Sequence, residues 1–165
     1  MAARVKADDR AALGWRVAAA VPDPEIPCVT VEDLGILRSV EMEGDAVVAR
    51  LTPTYAGCPA VLAIELAVET AIREAGFDVR VERVLSPAWS TDWITEEGRE
   101  KLRAFGITPP AEKRSDNAFF TEIVVACPRC ASEKTEKLAA FGSTPCKAHY
   151  RCLACAEPFD YFKCL

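Results

Sequence analysis

The sequence has no long hydrophobic run and no leader-like segment. Its apolar stretches are no longer than runs such as residues 17–21, whereas a membrane-spanning helix needs about 20 apolar residues. The N-terminal residues Met1 to Arg10 lack the hydrophobic core of a secretory signal. We therefore expect a cytoplasmic protein that makes no contact with a membrane.

The chain also lacks an excess of basic residues. Lys and Arg number 20 against 25 Asp and Glu, so the net charge is -5. A nucleic-acid-binding domain usually carries a basic patch or an isoelectric point above about 9, which argues against DNA or RNA as a partner. The sequence contains one histidine and no phosphate-binding glycine loop, H-E-x-x-H or G-x-S-x-G motif. We therefore predict a protein that is not an enzyme.

Cysteine, in contrast, is abundant and unevenly placed. Six of the eight cysteines follow residue 126. In a reducing compartment such a group indicates metal ligands or reactive thiols rather than disulfides. The clustering therefore separates a cysteine-rich tail from the rest of the chain.

Periodicity predicts an α+β two-layer sandwich over residues 8–107, with the element order αββαβα. The elements are a helix from about residue 10 to 20, a hairpin over 34–53, a helix at 60–75, a strand at 77–85 and a helix at 95–105. Residues 108–118 contain no large apolar side chain and are predicted to form a linker. Residues 119–165 form the tail module, with short strands expected at 119–125, 148–151 and 159–162.

Two C-x2-C pairs in the tail predict a zinc ribbon. Cys127 and Cys130 form the first pair, and Cys152 and Cys155 form the second after 21 intervening residues. Each pair can wrap a tight turn around one ion, so that the four sulfurs form a tetrahedral site. We predict one structural Zn²⁺ per chain, although spacing alone does not distinguish zinc from iron.

The other tail cysteines are harder to assign. Cys146 and Cys164 are compatible with buried thiols, an alternative pair of ligands or a second sulfur site. His149 could replace a ligand, but four cysteines are already available, so a surface or packing role is predicted.

Cys58 lies outside the tail, in the loop Thr52-Pro-Thr-Tyr-Ala-Gly-Cys-Pro-Ala that leads into the second helix. Proline is favoured at the first helical position, so Pro59 predicts Cys58 as the N-cap. Unpaired N–H groups and the helix dipole stabilise a thiolate there. The residues alone leave two interpretations open, a reactive thiol or a cysteine that caps and packs. Cys28 has no such setting and is expected to be a small core residue.

Several of these motifs resemble the SufT-like iron–sulfur cluster assembly proteins. The matching motifs are Asp23-Pro-Glu-Ile-Pro, Asp33-Leu-Gly-Ile and the Cys58 loop. The Trp-rich segment from Pro87 and the tail segments around Cys146 and Cys164 resemble one branch of this family, the PaaD proteins, which are accessory subunits of the phenylacetyl-CoA epoxidase system.

The resemblance implies a maturation factor for that system in aerobic phenylacetate degradation. Cys58 would be its reactive thiol and transient iron–sulfur cluster ligand. Its partners would be the reductase or oxygenase subunits of the epoxidase and other iron–sulfur assembly proteins. The exposed edge of a small sheet is compatible with a homodimer, in which two Cys58 thiolates could bridge a cluster.

Two alternatives remain at this stage. The chain could be an electron-transfer or coupling subunit of the oxygenase, with iron on the tail cysteines. It could instead be an interaction module that docks through the ribbon, with Cys58 structural.

Overall fold

A computed structural model describes residues 7–110 and 124–163 of the chain. They form two compact units, with the boundary between Trp89 and Ser90. Among the described residues, no helix combines the length and the apolar character needed to cross a bilayer.

The first unit contains two helices and a three-stranded sheet. Its elements are α1 (Ala7–Ala19), β1 (Leu37–Glu43), β2 (Ala46–Leu51), α2 (Val61–Glu74) and β3 (Val79–Arg83). β2 lies in the centre, antiparallel to β1 and parallel to β3. The predicted hairpin, second helix and third strand are thereby confirmed, as is the α+β fold class.

Both helices of the first unit pack against the sheet. In α1, a Cβ at Gly14 would lie 3.1 Å from Val40 and 3.2 Å from Val47, so glycine allows the helix to approach the strands closely. α2 buries Ile64, Val68 and other residues of its apolar stripe. Burial of these side chains is the main stabilising contribution to the unit.

A network of charged side chains lies on neighbouring strands of the sheet. Arg50 contacts the carboxylates of Glu41, Glu43 and Glu82 at 2.9, 2.8 and 3.0 Å. Arg80 contacts two of the same carboxylates. The charges thus largely neutralise one another across the three strands.

The described part of the second unit, residues 90–110 and 124–163, contains the ribbon sheet and one α-helix. Its elements are a single 3-10 turn (Thr91–Trp93), α3 (Glu96–Ala104), β4 (Ile107–Thr108), β5 (Thr135–Ala139), β6 (Lys147–Cys152) and β7 (Pro158–Phe162). The strand order is β4-β7-β6-β5, and only β4 runs parallel to its neighbour. The Thr95 side chain accepts the N–H of Gly98 at 2.9 Å, so Thr95 is the N-cap of α3.

The units divide at a different position from the one expected from the sequence. The sequence places residues 108–110 in a linker, but Thr108 pairs with Tyr161 of β7. The guanidinium of Arg99 donates to the carbonyl of Pro110 at 2.7 Å. These contacts group α3 and β4 with the ribbon. The sequence does not indicate this grouping, because a two-residue strand has no periodicity to recognise.

The predicted ribbon strands at 148–151 and 159–162 are confirmed as parts of β6 and β7. Most of the predicted strand at 119–125 lies outside the described residues, and its described end is not in a strand. β5 is not predicted by the sequence pattern and forms the outer edge of the ribbon.

Candidate metal centre and candidate reactive cysteine

Two backbone turns of the same shape carry the four tail cysteines. In each turn the N–H of the first cysteine, Cys127 or Cys152, donates at 2.9 Å to the carbonyl five residues later. The residue after each second cysteine has a positive φ, 58° at Ala131 and 63° at Ala156. Alanine adopts this conformation at an energetic cost, so surrounding contacts must hold both turns in place.

The four sulfurs form a compact group. The Cys127–Cys155 and Cys130–Cys152 sulfur distances are 3.8 and 3.6 Å, and all four lie within 4.8 Å of one another. A metal–sulfur bond of about 2.3 Å implies tetrahedral sulfur–sulfur edges of about 3.8 Å. The thiols therefore fit one tetrahedral metal ion.

Backbone donors favour a thiolate at Cys152. The N–H groups of Cys155 and Ala154 point at its Sγ from 3.5 and 3.4 Å. With the Cys155 N–H as the largest cause, they lower the pKa of Cys152 to about 6. The N–H of Ser132 also lowers the pKa of Cys130, but the neighbouring thiols and desolvation outweigh it and raise this pKa to about 12. Four thiolates thus repel one another unless a cation compensates their charge.

Two threonine hydroxyls fix the chain just before Cys127. Thr108 donates to the Ala126 carbonyl at 2.8 Å, and Thr135 donates to the Val125 carbonyl at 2.7 Å. Neither threonine is predicted from the sequence. Each contact joins segments distant in the chain, so no local pattern marks it.

A small aromatic core lies beneath Cys127 and Cys152. Tyr150 stacks on Phe159 with ring centroids 5.9 Å apart and meets Tyr161 edge-on at 5.8 Å. Cys127 and Cys152 are buried in this cluster, whereas the other two ligand candidates are exposed. The site therefore joins the ribbon core to its surface.

The remaining tail residues lie outside the four-cysteine group. Cys146 is buried, with its Sγ 3.0 Å from the hydroxyl of Thr144. The imidazole Nδ1 of His149 lies 3.1 Å from a carboxylate oxygen of Asp160, and the side chain is partly exposed. Cys164 lies outside the described residues.

In the first unit, three loops meet at one end of the sheet, where β1 begins and the parallel strands β2 and β3 end. The three loops are residues 20–36, 52–60 and 84–89. The N–H of Thr52 donates to the Ile36 carbonyl, and the buried indole of Trp89 donates to the Leu34 carbonyl, each at 2.8 Å. We call this region the loop end. Cys28 lies in the first of these loops and Cys58 in the second.

Cys58 lies just before α2, but it is not the N-cap. The N-cap is Ala60, two residues later than predicted, because an extra turn precedes the helix. In that turn the N–H of Val61 donates to the Cys58 carbonyl at 3.3 Å. Cys58 is half-buried. It therefore lies close to the N-terminal end of the helix, but without the predicted capping geometry.

The carboxylates of Asp23 and Asp33 each close a turn at the loop end. Asp23 accepts the N–H of Ile26 at 2.8 Å, and Asp33 accepts the N–H of Thr30 at 2.9 Å. The core role expected for Cys28 is not observed, because Cys28 is partly exposed.

Both units match known protein families. Residues 16–85 match the family described as iron-sulfur cluster assembly protein. Residues 111–163 match the PaaD zinc beta ribbon domain.

Two similar proteins extend this comparison. A crystal structure of a domain of unknown function from Bacillus anthracis aligns with a TM-score of 0.48 and 25% identity, over 58% of this chain and 92% of that chain. A putative 1,2-phenylacetyl-CoA epoxidase subunit of Escherichia coli K12 is 49% identical over 152 residues, which are 92% of this chain and 91% of that protein. This similarity, spread over nearly the whole of both sequences, shows that the chain belongs to the PaaD family of phenylacetyl-CoA epoxidase subunits.

Proposed function

We propose that this chain is a non-catalytic maturation factor of the phenylacetyl-CoA epoxidase system in phenylacetate degradation. It would assist the delivery of an iron–sulfur cluster or iron to the reductase or oxygenase component. Cys58 would be the transient ligand of this cargo, and the four tail cysteines would hold one structural Zn²⁺. The position of Cys58 at the loop end, in a domain that matches iron–sulfur assembly proteins, carries the proposal.

The surroundings of Cys58 suit a ligand that must release its cargo. The thiol is half-buried, and the neighbouring loop residues Ala56, Gly57 and Pro59 are exposed, so another protein can approach it.

The four-cysteine site instead suits a metal ion that the protein retains. Its sulfur separations match a single ion with four protein ligands, which leaves no open coordination position. A cluster with two or more irons would hold the thiolates further apart. The ribbon is small, and a closed metal site would supply folding free energy that its aromatic core alone lacks.

A second candidate function is electron transfer through iron at the same four thiolates. Two N–H groups donate to Cys152, and Cys130 and Cys155 are exposed. Such hydrogen bonds and solvent exposure tune the reduction potential of sulfur-ligated iron. Anaerobic metal analysis with a visible spectrum separates the candidates. About one zinc per chain and no visible absorption would support a structural site, whereas coloured, redox-active iron would support electron transfer.

The proposal also specifies the setting of the protein. We propose a cytoplasmic location, together with the epoxidase subunits and other iron–sulfur assembly proteins as partners. The edge strands β1 and β3 of the first sheet offer backbone groups through which a homodimer could form. Sedimentation of the full chain at several concentrations would measure its oligomeric state.

The decisive experiment replaces Cys58 in cells that produce the epoxidase. With Cys58→Ser, we expect the recipient to accumulate with its iron content reduced at least tenfold. Ala56→Ser is the matched control, because it changes an exposed residue of the same loop and keeps the thiol. Full metal content in a recipient matured with folded Cys58→Ser protein would refute the role of Cys58.

A further inference from the structure

In the four-cysteine site, each of two exposed cysteines lies beside a buried cysteine of the opposite turn. We propose that this site is a redox switch. A hydroperoxide oxidises the exposed Cys130, Cys152 closes a disulfide onto it, and the site releases its metal ion. This inference rests on the structural Zn²⁺ of the proposed function and adds a way in which the ribbon is regulated.

The four cysteines differ in their access to solvent. Cys130 is exposed, as are its chain neighbours Arg129 and Ala131. Cys127 and Cys152, in contrast, are only 2% and 0% exposed. Oxidation of a cysteine follows its thiolate character and its exposure. A peroxide dissolved in water therefore meets Cys130 before it meets the buried pair.

The sulfur that can resolve the oxidised Cys130 lies on the other turn. The Sγ atoms of Cys130 and Cys152 are 3.6 Å apart, whereas a disulfide bond measures about 2.05 Å. The two sulfurs must therefore approach by about 1.5 Å, which side-chain rotation and a small shift of either turn can supply. The disulfide joins the two turns rather than the two cysteines of one C-x2-C pair.

Backbone donors prepare Cys152 for the second step. The N–H groups of Ala154 and Cys155 donate to its Sγ at 3.4 and 3.5 Å. Hydrogen bonds of this kind stabilise the negative charge that Cys152 carries when it no longer shares it with the ion. The thiolate is the form of cysteine that attacks an oxidised sulfur. Cys152 thus remains a nucleophile while it is buried beside Cys130.

The reaction takes two electrons from the two sulfurs. The Cys130 thiolate attacks one peroxide oxygen, the O–O bond breaks, and a sulfenic acid forms while hydroxide leaves. The Cys152 thiolate then attacks the Cys130 sulfur, the S–O bond breaks, and a second hydroxide leaves as the S–S bond forms. Two protons from solvent convert both hydroxides to water. The metal ion keeps its oxidation state and loses two of its four ligands.

Loss of the ion releases the two turns. Ala131 and Ala156 have φ angles of 58° and 63°, which alanine adopts only when its surroundings impose them. Without four ligands on one ion, both residues can relax, and the turns lose the shape that places the sulfurs together. Metal binding and folding are coupled in small ribbons, so the oxidised ribbon unfolds. The first unit contains none of the four cysteines and keeps its fold.

Peptide mapping of the zinc-loaded full chain tests the switch. The chain is treated with one equivalent of hydrogen peroxide, remaining thiols are alkylated, and trypsin is added. Cleavage after Arg129 separates Cys127, on peptide 115–129, from Cys130, on peptide 130–134, and peptide 152–163 carries the second pair. We expect peptides 130–134 and 152–163 to be joined, with fragmentation placing the link on Cys152. One zinc ion should be released per disulfide, and a thiol reductant with added zinc should restore binding.

The matched control is Cys146→Ala, which removes a buried tail thiol outside the site and should keep both the link and the zinc release. The wild-type result is itself decisive, so a variant that fails to fold does not obscure it. A disulfide within one C-x2-C pair would overturn the inference. So would zinc that stays bound in protein whose Cys58 peptide is already oxidised.

The outcome also separates this inference from the proposed function. Protein that is isolated with zinc but never forms the link between the turns would refute only the switch. Protein that is isolated with redox-active iron would refute the structural Zn²⁺ of the proposed function, whatever disulfide the zinc-loaded chain forms.

Discussion

Removal of the metal from the four-cysteine site should unfold the second unit and leave the first unit folded. A structural zinc site contributes about 10–16 kcal/mol of coupled binding and folding free energy. Whole domains are stable by only about 5–15 kcal/mol. The buried cluster beneath the site contains seven residues, two of which are cysteine ligands themselves. The contribution of the metal site is as large as the total stability of a domain. Burial of this small cluster cannot replace it.

The structure predicts how much helical signal survives a strong chelator. Helices α1 and α2 of the first unit contain 13 and 14 residues, and α3 of the second unit contains nine. About three quarters of the far-ultraviolet helical circular dichroism of these elements should therefore remain. The near-ultraviolet signal of Tyr150 and Tyr161 should disappear, because both tyrosines lie in the ribbon core.

Hydrogen exchange locates the change within the chain. Amides of β6 and β7 should exchange at least a hundredfold faster after chelation, whereas those of β2 should keep their protection. Restored protection on addition of zinc is the control for irreversible damage. If β6 and β7 stay protected in protein shown to be metal-free, or if β2 loses protection with them, the assignment of a folding role to this site is wrong.

Three further predictions concern individual contacts. Trp89→Phe leaves a buried loop carbonyl without its donor and should reduce the free energy of unfolding by about 1–3 kcal/mol in urea titrations. Arg50 lowers the pKa of Glu41 below its ordinary 4.5. The stabilisation of the folded state by this ion pair is therefore fully present above pH 4.5 and is lost as the pH falls through the lowered pKa. The stability difference between wild type and Arg50→Gln should therefore shrink as the pH falls below 4.5 and through the lowered pKa of Glu41. In Gly142→Ala the new Cβ would lie 2.8 Å from Asp160 Oδ1, which should lower the thermal midpoint of the second unit by several degrees, with a cost of about 1–3 kcal/mol. An unchanged midpoint would show that the loop moves aside freely.

Sequence analysis succeeded where local periodicity determines structure. The periodicity of residues 60–75 predicted α2, and the structure buries Val61, Ile64, Val68 and Ile72 on one side of this helix. The C-x2-C spacing predicted the four-sulfur group, because two residues between cysteines suffice for a tight turn.

Prediction from the sequence was less successful where the boundary of a helix or strand depends on residues that are distant in the chain. The N-cap of α2 is Ala60, two residues after the predicted Cys58, because a turn with a different hydrogen-bond pattern precedes the helix. β5 and β4 were missed, since each is defined by its pairing with β6 or β7 rather than by alternation.

The amino-acid sequence alone determined the types of element, the fold class and the chemistry of the thiols, because these follow from residue types and short spacings. Only the tertiary structure decided which segments meet. The contact of Trp89 with Leu34 spans 55 residues, and the loop end exists because β2 and β3 run parallel while β1 runs antiparallel. No local pattern contains that information, since it arises from strand pairing and from burial of the two helices against the sheet.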